Sequence, residues 1–293
     1  SVAYQINPKL SVGAGISAMY GTIEIAKIGF NSTLATAYGV PSQYIAPIST
    51  DLNGSGFGVG ANLGIMYKPT PCLSVGLSGK IPSEVKMSGE AEVYLLKPLL
   101  GVNSPASKIG GKSDIDATLK LPAEVGLGLG YKVNQNWTVS LDYAYTMWDR
   151  LDKVIVEMDT PIVMIPGAYS ISKSELIFNW ENTSRISLGT EYKLGCNSIR
   201  AGVFMDQTPI PETTQQPTLS DVGTKYSGNL GWGRSFGNFG VDANVQYIMF
   251  DEREVTTTSY DAGSPTNLEG KYNSTSISGN IGQIGRASCR ERV

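Results

Sequence analysis

From Phe57 to Tyr67 the chain alternates without a break. Phe57, Val59, Ala61, Leu63, Ile65 and Tyr67 are apolar, and Gly58, Gly60, Asn62, Gly64 and Met66 stand between them. The same period of two runs from Ile115 to Tyr131 and from Trp137 to Met147, and returns over 186–194, 199–205 and 239–249. Successive side chains of a β-strand point to opposite faces, so this period predicts strands with one apolar and one polar face. No charged residue stands on the apolar set, whereas the facing set carries Asp116, Lys120, Glu124, Asp142, Glu191, Lys193, Arg200 and Asp242. Extending the pattern predicts eleven strands, near 1–5, 10–28, 54–68, 72–94, 112–132, 137–157, 174–194, 198–208, 223–236, 239–254 and 270–281.

A soluble β-sandwich also shows one apolar face, and three features separate the two architectures. The alternation over 115–131 is far longer than the roughly 5–6 residues of a usual strand. Short turns at 6–9, 69–71, 134–136, 195–197 and 237–238 alternate with long connections near 29–53, 93–111, 158–173, 209–222 and 255–270. Aromatics gather beside the short turns (Tyr4, Tyr67, Tyr131, Trp137, Tyr192, Trp232, Phe236, Phe239) and again farther along the strands (Tyr20, Tyr143, Tyr145, Tyr226, Tyr247). Short turns on one rim, long loops on the other and two aromatic girdles describe an all-β, antiparallel transmembrane β-barrel. A sheet in a bilayer must close, and single-chain bacterial barrels use even strand numbers. Eleven is odd and the first strand begins at residue 1, so residues 1–283 are expected to be part of a barrel. Residues 284–293 (IGRASCRERV) break the alternation and resemble the translation of a sequencing adapter; they are read as a non-native tail.

Composition narrows the chemistry. Charged residues are 17% of the 293, against about a quarter in soluble domains, and glycine reaches 34 residues. With no histidine there is no Ser-His or Cys-His nucleophile and no His-ligated metal, so no enzyme and no cofactor site is expected. A net charge of −3 argues against nucleic acid as a partner. Cys72, Cys196 and Cys289 form no C-x-x-C pair and are read as incidental thiols.

Residues 185–192 (RISLGTEY) followed by 199–211 (IRAGVFMDQTPIP) resemble the FadL/TodX family of outer-membrane transporters of hydrophobic compounds, whose pattern there is R-I-(A/S)-L-G-T-x-Y, then R-x-G, then D-x-(S/T)-P-(V/I)-P. Residues 10–20 (LSVGAGISAMY), 143–149 (YAYTMWD) and 270–272 (GKY) are similar to the family as well, in order along nearly all of 1–282. The resemblance implies a barrel of about 14 strands, of which eleven are present, with a small N-terminal hatch inside it that would precede residue 1. It further implies a monomer in the bacterial outer membrane that takes up long-chain fatty acids or aromatic hydrocarbons. Residues 220–225 (SDVGTK) depart from the family's Asp-x-Asp-Arg run, keeping only Asp221. A general porin, or a structural or adhesin barrel, is the alternative.

Uptake of an amphipathic acid needs a greasy capture surface, a lumen site and an exit. The connection 29–53 offers Phe30, Leu34, Tyr38 and Tyr44, and 93–102 offers Tyr94, Leu95, Leu96 and Leu99; by resemblance these segments form an outer hydrophobic groove. The inward charges, Asp206 among them, have mixed signs and are expected to pair across strands. Lys27, Lys80, Lys153 and Arg185 are the cations placed to meet a ligand carboxylate, Lys27 on the strength of the family's basic residue near that position.

Overall fold

A computed structural model describes residues 1–31, 46–95, 109–215, 223–236, 239–256 and 270–285. Strands make up most of them: β1 (Val2–Asn7), β2 (Leu10–Asn31), β3 (Ala46–Tyr67), β4 (Leu73–Lys80), β5 (Ser83–Leu95), β6 (Gly110–Leu121), β7 (Ala123–Lys132), β8 (Trp137–Met147), β9 (Lys153–Ile165), β10 (Tyr169–Ile177), β11 (Thr183–Leu194), β12 (Asn197–Asp206), β13 (Lys225–Phe236), β14 (Phe239–Phe250), β15 (Arg253–Val255), β16 (Gly270–Tyr272) and β17 (Thr275–Gly285). Every pairing is antiparallel between neighbouring passes, and the main sheet has fifteen of these strands. The passes are the eleven expected, because β4 continues into β5, β6 into β7, β8 into β9 and β10 into β11, while β15 and β16 pair apart. Among the described residues β1 pairs only with β2, β17 only with β14 and the short upper strand β10 only with β9, so β1 and β17 are the edges of the row of passes and β10 is an edge above it.

Two connections and one boundary differ from what the alternation implied. β2 and β3 pair from Leu10↔Tyr67 to Asn31↔Ala46, which reduces the connection 29–53 to residues 32–45. Residues 158–173, expected as a loop, are the tip of the β9–β10 hairpin. β17 runs to Gly285, past the expected boundary at 283.

Register shows why this face is greasy. The row Tyr4, Val12, Ile65, Leu77, Leu127, Tyr143, Ile186, Met205, Tyr226, Met249 steps directly across β1, β2, β3, β4, β7, β8, β11, β12, β13 and β14. Nearest the short turns, Trp137, Tyr192, Ile199 and Trp232 form a second row across four strands, and Phe236 stacks on Phe239 with ring centroids 5.0 Å apart. These side chains are large and apolar, and all but the partly buried Val12 and Met205 are exposed, which water would not tolerate over such an area.

Above this belt the sheet's two faces exchange character. β3 is continuous: its even positions point inward throughout, and its odd positions change from Phe57 and Val59 to Ser55, Asn53 and Asp51. Its partner must accommodate the change. Asn62 pairs with Lys80 and Gly58 with Val85, four residues on β3 against five on the partner, so one extra residue is inserted at Ile81–Pro82. A bulge suits Pro82, which has no N–H to give the ladder. The insertion flips the pleat. Even residues of β4 face inward, but on β5 the inward residues are Val85, Met87, Ala91, Val93 and Leu95, while Glu84, Lys86, Glu90 and Glu92 point out. Pro122 marks the same flip between β6 and β7. This corrects the reading of 115–131 as one uninterrupted apolar face: Ile115, Ala117 and Leu119 face inward, and Val125, Leu127, Leu129 and Tyr131 face out. Lys120, expected in the lumen, is outside with Asp116 for the same reason.

The inward apolar positions of this upper region close into a hydrophobic core. Ile48, Leu52, Val93, Ile115, Val156, Met158, Ile162 and Met164 pack together, with Met164 fully buried and Val93 2% exposed. Close approach of β3 and β5 fixes glycine at 89, where a Cβ would run into the carbonyl oxygen of Asn53. On the opposite, wet face, Lys112 is clasped by Glu92 and Glu90, which raises its ammonium above its ordinary range. Glu175 accepts from Lys173 and lies beside Lys153, and its carboxyl is held below the usual range.

Candidate functional site

The inner face of the belt region is lined by small residues. The row Ala3, Gly13, Gly64, Ser78, Gly126, Ala144 crosses β1 to β8 and ends at Arg185 on β11. With Ser11, Gly76, Gly128 and Gly130 it bounds an open space of about 960 Å³. Glycine gives this wall room rather than special dihedrals, and a neighbouring segment or ligand can lie directly on the backbone.

Beyond Arg185 the inner face is charged. Arg200 on β12 donates through Nε to Glu191 on β11 at 2.6 Å and through Nη1 to Asp242 on β14. To reach Asp242 it must cross β13, and the residue beneath is Gly233, where a Cβ would collide with the Asp242 carboxylate. Lys193 joins the network at 3.6 Å from Glu191. The pairing expected of the lumen charges is thus present for these four. Charge-assisted bonds of this kind contribute about 1.5–3 kcal/mol, less where water reaches them. Arg200→Met should therefore lower stability by roughly 1–2 kcal/mol, read as a shift in denaturation midpoint, since it leaves the partly exposed Asp242 without its cation and Glu191 with Lys193 alone. An unchanged midpoint would show that the network is ornamental.

Where this face meets the upper core lies a cavity of about 600 Å³. Lys80, Glu124, Arg185, Asp206 and Lys225 supply its polar lining; Leu121, Pro122, Trp148, Trp180, Pro209 and Ile210 supply its apolar lining. The aromatics are fixed by one another: Trp148 sits edge-on to Trp180 at 4.9 Å, and Phe178 edge-on to Trp180 at 5.7 Å. Trp148 is placed by the 3-10 turn Trp148–Arg150, which interrupts the β8–β9 pass. Two cations stand opposite carboxylates without engaging them. Lys80 lies directly across from Glu124, and Arg185 across from Asp206, yet among the described residues neither has an ion-pair partner. Arg185 instead lies over the Phe204 ring at 4.3 Å.

The structure thus joins two of the four expected cations and separates the others. Lys153 is on the outer face, 3.5 Å from Glu175, because it alternates with the buried Val154. Lys27 is on β2 opposite Thr50, its side chain outside the described part, as is that of Phe30 opposite Pro47. Leu95 belongs to the core at 5% exposure, which corrects its place on a capture surface; Tyr94 is half-buried on the opposite face. Leu34, Tyr38, Tyr44, Leu96 and Leu99 lie outside the described residues. Trp148, Trp180 and Phe204 escaped sequence reasoning. Cys72 and Cys196 are free thiols, and Cys289 lies outside the described residues.

A continuous antiparallel sheet with an apolar outer belt, aromatic girdles and a polar inner face defines the wall of a transmembrane β-barrel. Residues 1–280 match the family described as outer membrane protein transport protein (OMPP1/FadL/TodX), and the chain belongs to that family. It is therefore an outer-membrane protein. It is 25% identical over 270 residues to a long-chain fatty acid transport protein of Salmonella typhi, covering 85% of this chain and 57% of the relative. It is also 25% identical over 313 residues to outer membrane protein P1 of Haemophilus influenzae, covering 92% and 62%. The chain spans between about half and three-fifths of the length of the curated relatives it matches. Among solved structures, a Pseudomonas aeruginosa FadL homologue superposes with a TM-score of 0.75 at 19% identity over 96% of this chain and 64% of that one. The Ralstonia pickettii toluene transporter TbuX superposes with a TM-score of 0.64 at 19% identity, covering 97% and 65%. Both likenesses bear on the fold.

Proposed function

We propose that the protein is part of a passive outer-membrane conduit that takes up hydrophobic molecules, long-chain fatty acids or aromatic hydrocarbons. In this reading Phe30, Leu34, Tyr38, Tyr44, Tyr94, Leu96 and Leu99 serve capture outside, and the cavity at Lys80 and Arg185 receives the ligand within. The observation that carries it is the cavity's make-up. Two cations without carboxylate partners stand beside a wall of Trp148, Trp180 and Ile210, a pairing suited to an acid head and an apolar tail. The names of the relatives, fatty acid transport protein and toluene transporter, agree with that ligand class. The unpartnered edges at β1 and β17 support a wall completed by further strands, because a bilayer leaves no backbone group unpaired. The small-residue face leaves room for a plug, and the protein acts as a monomer without a cofactor.

Exchanging both Lys80 and Arg185 for Met should weaken binding of a long-chain acid to the detergent-solubilised full chain about tenfold, or about 1.4 kcal/mol, and leave the matching alcohol unaffected. Displacement of a fluorescent acid measures both. A wild-type chain that binds alcohol and acid equally would remove the carboxylate role.

A further inference from the structure

The segment that follows β12 has no strand and only the 3-10 turn Glu212–Thr214, yet it buries Pro209, Ile210, Thr214 and Gln215. Ile210 is 4% exposed, and Thr214 and Gln215 are buried. A loop at a surface normally leaves its polar groups to water; this one spends them on neighbouring strands. The Ser184 N–H donates to the Gln207 side chain at 2.8 Å, and the Gln207 N–H donates back to the Ser184 carbonyl at 3.2 Å. The Glu181 N–H donates to the Pro209 carbonyl at 2.8 Å. The Thr214 hydroxyl donates to the Phe178 carbonyl, and Arg253 Nη2 donates to the Ile210 carbonyl at 2.6 Å. Pro209 and Pro211 limit the backbone further. The result is a strap, residues 206–215, tied to the β10–β11 bend on one side and to β15 on the other. Asp206, Gln207, Pro209 and Ile210 of this strap line the cavity that holds Lys80 and Arg185.

We propose that this strap is a fixed roof that sets which ligands fit, with Ile210 the specificity-determining side chain and Arg253 a positioning residue that holds it in place. The inference rests on the reading of that cavity as the ligand site. The ligand's polar head lies at Arg185 and Lys80, its tail runs along Trp148 and Trp180, and Ile210 limits how much tail is accommodated. Rigidity is what makes a limit possible: a loop free to move would repack around any chain length, whereas a roof tied by four neighbours cannot.

The test is a chain-length profile. Straight-chain acids of about eight to eighteen carbons compete for a fluorescent acid on the detergent-solubilised full chain, in wild type, Ile210→Ala, Ile210→Phe and Arg253→Gln. Ile210→Ala should move the tightest-binding acid longer by roughly two carbons, and Ile210→Phe should move it shorter by a similar step. Arg253→Gln should broaden the profile, so that acids on either side of the optimum come within about threefold of it. Ile210→Val, which keeps the branched shape, should restore the wild-type optimum. An unshifted optimum, or all lengths losing affinity in parallel, overturns the proposal. If the strap reading fails alone, the acid remains preferred over the alcohol in every variant. Loss of that preference already in wild type means that the cavity reading has failed instead.

Discussion

Val93→Asp will unfold the region above the belt, whereas Glu92→Gln beside it will leave stability within about 0.5 kcal/mol. The two residues are neighbours on β5 and differ in the face they occupy. Val93 is packed with Leu52, Ala91 and Met164 in the upper core, and Glu92 faces water with Lys112. A carboxylate at 93 would have no cation within that core, and an unpaired buried charge costs about 3–5 kcal/mol. This is a large part of the roughly 5–15 kcal/mol that holds a folded protein together. Trp180 packs against this core and Trp148 against Trp180, so their fluorescence in a denaturant titration reports the loss. Equal midpoints for Val93→Asp and Glu92→Gln would show that the face assignment of β5 is wrong.

The period of two across Val125–Tyr131 or Trp137–Met147 was enough to predict a one-sided strand, and its recurrence predicted the number of passes. Alternation has no sign, however. It says that odd and even residues differ, not which of them point inward. In a bilayer the apolar set faces out; above it, where water is outside, the apolar set faces in. Residues 115–131 keep their odd positions apolar through both regions because the flip at Pro122 exchanges the faces just where the surroundings exchange. An unbroken pattern in sequence is what a flipped pleat requires, and for that reason it could not be read there. The prolines at 82 and 122, unable to donate to a ladder, were the one local sign.

The site was legible to a similar depth. Arg185 and Lys80 alternate with apolar neighbours on passes that do not flip before reaching them, and both arrive on the inner face. Lys153 was misplaced because the Trp148–Arg150 turn and the residues around it reset the count between β8 and β9. Leu95 looked like loop because the connection 93–111 has no turn signal at its start, and β5 continues through it. Trp148, Trp180 and Ile210 are brought together by long-range packing, which periodicity does not report. The DQTPIP run at 206–211 was visible as a family pattern; its work as a strap depends on Ser184, Glu181 and Arg253, residues far apart in sequence.

The second large effect follows from the same exchange of faces. Leu127→Arg places a cation in the middle of the apolar row and should cost about 2–4 kcal/mol, as charges on the lipid face of outer-membrane barrels do. The inner face at this level tolerates charge, since Asp142 already stands there on β8 opposite Gly128. Spin labels separate the two environments without depending on stability. A label at Leu127→Cys should be relaxed by oxygen, which concentrates in hydrocarbon, and little by a water-soluble nickel chelate. One at Asp116→Cys should show the reverse, since Asp116 is on the outer face above the belt. Leu119→Cys decides the matter. It has the parity of Leu127 in the sequence, so a single uninterrupted strand would give it the lipid signature. With the pleat flipped at Pro122 it packs against the upper core and should be shielded from both relaxants. A lipid signature at 119 would restore the continuous strand, and with it the assignment of Lys120 to the lumen.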